Sequence, residues 1–128
     1  MADRSFDLAE SYVHLTDGPE ARQLVVDDAF WAEIGNRPEL HGGRLVTLHH
    51  LDQTWPNWEM HPAGDEIVCL LSGAVDLILQ GAEGDEVIAL RGRSACIVPR
   101  GVWHRAVVHQ PGDVLHITRG EGTEHRPV

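Results

Sequence analysis

Nine histidines stand in a chain of 128 residues, and two of them keep company suited to holding a cation. In Trp58-Glu59-Met60-His61-Pro62-Ala63-Gly64-Asp65-Glu66, Glu59 and His61 lie two apart, so a strand carries both on one face. Gly64 permits a turn and Glu66 opens the next apolar run. A neighbouring strand there would bring its carboxylate beside His61. Further on, Pro99-Arg100-Gly101-Val102-Trp103-His104 reads as a turn leading into a strand, with His104 its early inward residue. Two imidazoles and two carboxylates converging on one pocket supply N and O ligands for a divalent ion. Each element alone has a plainer reading. A strand histidine is more often hydrogen-bonded than a ligand, Glu59 beside a Trp can be a surface acid, and Glu66 can be half of an acidic turn with Asp65. Their combined spacing is what favours a site.

The elements that must position these groups have a period of two. Val75, Leu77 and Leu79 alternate with Asp76, Ile78 and Gln80. Apolar-rich runs recur at Arg44 to Leu51, Glu66 to Leu71, Val75 to Gln80, Glu86 to Leu90, Ser94 to Val98, Val102 to His109 and Val114 to Thr118. Gly, Pro, Asp and Ser mark the breaks, the pattern of an all-β sandwich or barrel. Residues 1–40 read as short strands at Tyr12 to Leu15 and Gln23 to Val26. A short helix over Ala29 to Ile34 follows, capped by Asp27 or Asp28 and stopped by Gly35 and Pro38. This segment is expected to pack on a barrel formed by residues 41–119, with 120–128 a flexible tail. Glu66 to Leu71 is apolar on both faces after its first residue, so another layer or a second subunit must cover the outside. A homodimer is the expectation.

Composition bounds the function. At this length a single domain buries roughly two thirds of the surface its unfolded chain exposes. The formal charge of -10 repels phosphates, which argues against nucleic acid and against anionic membrane surfaces. No apolar run approaches the roughly 20 residues of a bilayer span. Met1 to Glu10 shows no basic start followed by an apolar stretch, so no leader is expected. Cys69 and Cys96 lie in apolar runs and read as inert thiols of a reducing, cytoplasmic compartment. The Gly-x-Ser-x-Gly elbow, the phosphate-cradling loop, His-Glu-x-x-His and zinc-spaced Cys pairs are all missing from the sequence.

The spacing resembles that of the cupin superfamily. Glu59-Met60-His61, four residues, Glu66, six residues and Gly73 parallel its first motif. Gly92, six residues and Pro99-Arg100-Gly101-Val102-Trp103-His104 parallel its second. The resemblance spans about Arg44 to Thr118. It implies an all-β double-stranded β-helix, a jelly-roll barrel that is often dimeric, with the site inside. His61, Glu66 and His104 carry over as metal ligands. Glu59 occupies the place of the family's first histidine, and Val108 that of an Asn which often closes the second motif. A two-His-one-carboxylate set suits Fe(II) with open positions, and a second carboxylate favours Fe(II) or Mn(II), with Zn(II) and Ni(II) as further candidates. Glu59 is then either a fourth ligand or the catalytic acid or base beside His61. An enzyme acting on a small oxygenated molecule, of isomerase or dioxygenase type, is one implied function. A non-catalytic binding or sensing barrel, with or without its metal, is the other.

Around the motifs, Trp55 shares parity with Glu59 and His61 and is placed at the pocket mouth, whereas Trp103 faces away from His104. His50 is inward if Val46 and Leu48 are, and His49 then takes the other face. His116 shares parity with Val114 and Thr118. Core or edge packing is its default reading, and a role behind the ligands the alternative.

Overall fold

The computed structural model describes residues 4–128, so the first three residues of the N-terminal segment lie outside the description. Alternating apolar runs and turns give β1 (Ser11–Leu15), β2 (Ala21–Val25), β3 (Arg44–Leu51), β4 (Asn57–Met60), β5 (Glu66–Leu70), β6 (Ala74–Gly81), β7 (Gly84–Arg91), β8 (Ala95–Val98), β9 (His104–Gln110), β10 (Gly112–Thr118) and β11 (Glu124–Pro127), with one short helix, α1 (Phe30–Glu33). They build two antiparallel sheets, ordered β2-β1-β3-β10-β5-β8 and β11-β4-β9-β6-β7. This is the expected double-stranded β-helix. No helix among the described residues is long and apolar enough to cross a membrane.

The inner faces of both sheets supply the core. Val68, Leu70 and Val114 come from the six-stranded sheet, and Val75, Leu77, Leu79, Leu90 and Ala106 from the five-stranded one. Leu70 and Val114 are fully buried, each worth about 1.5–3 kcal/mol relative to exposure. The N-terminal strands extend the six-stranded sheet through β1 and β3. Phe30 of α1 is buried edge-on against Tyr12, ring centroids 5.3 Å apart. The helix is shorter than expected because the chain tightens into 3₁₀ turns at Ile34–Asn36 and Pro38–Leu40. The Asp27 carboxylate accepts the Ala29 N–H at 3.1 Å just ahead of it.

Three expectations are corrected. First, β4 and β5 are not neighbours. β4 pairs with β9 and β11, while β5 pairs with β8 and β10. The Pro62-Ala63-Gly64 corner carries the chain from one sheet to the other, so Glu66 faces His61 across the sandwich. Second, β3 presents the opposite phase. Thr47 and His49 face inward and His50 is exposed beside Asp113, Nδ1 to Oδ1 3.0 Å. Third, the segment after Gly120 is not a loose tail throughout, because Glu124–Pro127 pairs with β4 as β11. Its anchor is Arg126, whose guanidinium lies 4.3 Å from the Trp103 ring centroid and 6.0 Å from that of Trp58. Trp103 thus packs on the side away from His104, as its parity implies.

The outer face of the six-stranded sheet is apolar. Cross-strand register places Val13, Val46, Ile117, Ile67 and Ile97 in one row across β1, β3, β10, β5 and β8. Ile67 and Ile97 are exposed at 38% and 65%, which a sheet wet on that side would not tolerate without cost. Cys69 pairs with Ala95 on this outer face, whereas Cys96 pairs with Val68 on the inner one. Both thiols are half-buried and free, on opposite faces.

Candidate metal centre

Register assembles the site. Glu59 lies directly opposite His104 in the β4–β9 pair, and His125 lies opposite Glu59 in the β11–β4 pair. Cross-strand neighbours share a face, so His125, Glu59 and His104 form one inward row, with His61 two residues beyond Glu59. The second motif is stitched onto the first. The Val102 N–H closes a turn onto the Pro99 carbonyl at 3.2 Å, and the Gly101 N–H donates to the His61 carbonyl at 3.0 Å. The Arg100 N–H donates to Asp65 Oδ1 at 2.8 Å. Gly101 sits at φ +80°, a conformation a side chain would strain, which explains the glycine of Pro-x-Gly-x-x-His. The turn therefore fixes where His104 enters the barrel.

One ligand atom from each of Glu59, His61, Glu66 and His104 lies within 4.8 Å of all the others. His61 Nε2 is 3.0 Å from Glu59 Oε1 and 3.2 Å from Glu66 Oε2. His104 Nε2 is 3.2 Å from Glu66 Oε1 and 3.6 Å from Glu59 Oε1. Ligands at roughly 2.0–2.2 Å from a common ion sit about this far apart at adjacent positions. The far side of every residue is already engaged. His61 Nδ1 donates to Thr123 Oγ1 at 2.7 Å, whose own proton goes to the Gly120 carbonyl at 2.8 Å. His104 Nδ1 donates to the Val102 carbonyl at 3.1 Å. Thr118 Oγ1 donates to Glu66 Oε2, and His125 Nε2 lies 2.8 Å from Glu59 Oε2. These bonds set both imidazoles in the tautomer that aims Nε2 inward. What remains without a hydrogen-bond partner is His61 Nε2, His104 Nε2 and Glu66 Oε1, all buried. Buried polar atoms are rarely left so, and a divalent ion is the group that satisfies two imidazole nitrogens and a carboxylate oxygen together. The donor set fits the ion.

The electrostatics show what the four residues do to one another. Burial opposes the charged form of His61, but the Glu59 and Glu66 carboxylates beside it outweigh that and raise it to about 9. His104 is raised to about 9 by the same carboxylates against the same burial. Burial works to raise both acids, yet His104 and His61 hold the Glu59 carboxyl well below its usual range. His104, His116 and His61 do the same for Glu66. The two carboxylates thus favour the charged form of both imidazoles.

A cavity of about 1150 Å³ opens from the site, and Trp55 lines it, beside the His104 ring. His116 is buried and lines the cavity too, with Nδ1 3.7 Å from Glu66 Oε2. His49, expected outward, instead packs on His116 with centroids 5.5 Å apart. Burial and that neighbour push His49 down to about 4, so it is neutral at pH 7. Thr118, Thr123 and His125 were not among the expected site residues. Thr118 shares the parity of His116 and was within reach of sequence reasoning. Thr123 and His125 follow a segment with no apolar alternation, so only the pairing of β11 reveals them.

No protein-family profile matches the chain. No curated protein matches it. Solved structures do. A cupin-2 domain protein from Shewanella frigidimarina is 17% identical over 59% of this chain and 69% of its own, TM-score 0.51. Hydroquinone 1,2-dioxygenase, solved with Cd2+ and 4-hydroxybenzonitrile, is 20% identical over 59% of this chain and 56% of its own, TM-score 0.50. Oxalate decarboxylase from Bacillus subtilis is 13% identical over 66% of this chain, TM-score 0.53, but this chain spans only 24% of its length. Matches this distant in sequence establish architecture, and the architecture they share with these two sheets is unambiguous: this chain has the cupin fold.

Proposed function

We propose that Glu59, His61, Glu66 and His104 bind one divalent transition ion, Fe(II) or Mn(II) before Zn(II) or Ni(II), and that the barrel acts on a small oxygenated molecule held in the adjoining cavity. The observation that carries this reading is the convergence of two buried imidazole Nε2 atoms and two carboxylates on one point, with no other polar group supplied to the two nitrogens. Two carboxylates neutralise the ion's charge and suit the harder ions. Bound there, the ion would supply Lewis acidity for isomerisation or a redox centre for oxygenation. Thr123 and the Val102 carbonyl orient the two imidazoles, and Thr118 orients Glu66. Glu59 has a second role open to it. Its Oε2 meets His125, whose side chain is half exposed, so the pair offers a path for a proton between the site and solvent. The chain is further proposed to pair with a second copy through the apolar row Val13, Val46, Ile117, Ile67 and Ile97, since covering it gains about 25 cal/mol per Å².

The test is metal content. Protein stripped with a chelator and reloaded with Mn(II) or Fe(II) should retain one ion per chain after desalting. Anomalous diffraction should place that ion among the four residues. His104→Ala should abolish retention, whereas Asp76→Ala, far from the centre, should not. Wild-type protein that retains no ion would overturn the proposal.

A further inference from the structure

The cavity wall is a continuous run of rings. Trp31, half exposed, lies with its ring centroid 5.7 Å from His49. His49 lies 5.5 Å from His116, and His116 is stacked on Trp55 at 6.2 Å with only 21° between planes. Trp55 in turn lies 6.1 Å from the His104 ring. Aromatic surface thus leads without a break from the cavity mouth to a ligand of the metal centre. His116 is 6% exposed, and its Nε2 has no hydrogen-bond partner.

Charge points the same way. All ten basic residues of the chain are arginines, and none lines this cavity. Five of them are engaged elsewhere: Arg37 with Glu39, Arg91 with Asp76, Arg119 with Asp17, and Arg105 and Arg126 over Trp58. The acids Glu59, Glu66 and Glu121 do line it. With two glutamates on a divalent ion the centre has no net positive charge to offer. An organic anion would leave water and find no guanidinium in return, a poor exchange. An uncharged ring loses little on leaving water and gains the stacking wall. At about 1150 Å³ the cavity has room for a molecule of more than one ring.

We infer that the site takes an uncharged, hydroxylated aromatic molecule, stacked along Trp31, His49, His116 and Trp55 with its oxygen toward the metal centre, and discriminates against organic anions. This rests on the metal-centre reading above for the oxygen's destination. The wall itself stands apart from it.

The experiment uses 2-naphthol, 2-naphthoate and oxalate as probes in calorimetric titrations of Mn(II)-loaded protein, with metal content measured on the same sample. The expected result is 2-naphthol binding at least about tenfold more tightly than either anion, one unit in the logarithm of affinity. Trp55→Leu should weaken 2-naphthol about fivefold or more while the ion stays bound. Should that variant fail to fold, Trp31→Ser on the half-exposed position should weaken it in the same direction. Anions binding as well as the naphthol, no naphthol binding to metal-loaded protein, or indifference to both tryptophan variants would each overturn the inference. Protein that holds no ion but still prefers 2-naphthol in a tryptophan-dependent way would overturn the metal-centre reading and leave the aromatic wall standing.

Discussion

Metal binding at this centre should expel protons that an ordinary histidine pair would already have lost. In the metal-free protein the two imidazoles sit between Glu59 and Glu66 and titrate near 9. At pH 7 both are therefore charged, and an ion can enter only as both lose their protons. At about 1.36 kcal/mol per unit, each proton costs roughly 3 kcal/mol to remove at pH 7. Together they lower the apparent affinity roughly 10⁴-fold below its value above pH 9. Imidazoles near the ordinary value of about 6.5 would lower it only about twofold at the same pH. The assay is calorimetric titration of stripped protein with Mn(II) in two buffers of different protonation enthalpy, which counts protons directly. About two should be released per ion at pH 7, falling toward zero by about pH 10. Near-zero release at pH 7 would show that the imidazoles are neutral there and that the Glu59–His61–Glu66–His104 sandwich does not hold protons as argued.

The same shifts set opposite pH trends for the two forms. The folded-state values of His61 and His104 lie above the model value of 6.5, so their stabilisation of metal-free protein is complete below 6.5 and is lost as pH rises through about 9. Glu59 and Glu66 are held below 4.5, and their contribution is present above 4.5 and lost in acid. Metal-free melting temperatures should peak between those limits, whereas metal-loaded protein should gain stability toward pH 9. Thr123→Val should leave the fold intact and weaken metal affinity about 10–100-fold, because the His61 ring loses the acceptor that orients it. Glu59→Gln should weaken Mn(II) binding if the carboxylate is a ligand. If it acts only as acid or base, metal should stay and turnover alone should fall. Ile97→Glu should convert a dimer to a monomer by light scattering at tens of micromolar, with the metal content unchanged.

The four residues that converge could be picked out because candidate chemistry is written into fixed spacings. Glycines and prolines mark where the chain turns, and histidine and glutamate sit at set distances from those turns. The sheet partner of Glu66 was not legible, since the same Pro62-Ala63-Gly64 corner serves a hairpin or a crossing between sheets. β3 misled for a related reason. Val46 and Leu48 are apolar because the outer face is itself apolar, so hydrophobicity gave the strand no unique inward side. β11 escaped notice because Glu124–Pro127 carries no apolar alternation. It is held by backbone pairing and by Arg126 on two tryptophan faces, long-range partners that periodicity cannot register.

Glu66 belongs to the six-stranded sheet, while Glu59, His61 and His104 stand on or beside strands of the five-stranded one. An ion held by all four is therefore a rivet through the sandwich. It does for these layers what an inter-sheet disulfide does in other β-sandwiches, but reversibly and at the pace of metal exchange. At a free-ion concentration about a hundred times Kd it adds about 2.7 kcal/mol to the folded state, a large share of what a domain this size possesses. Protection of backbone amides in β5 and β9 against hydrogen exchange then becomes a gauge of occupancy. Losing such an ion would loosen the seam between layers before either sheet unravels.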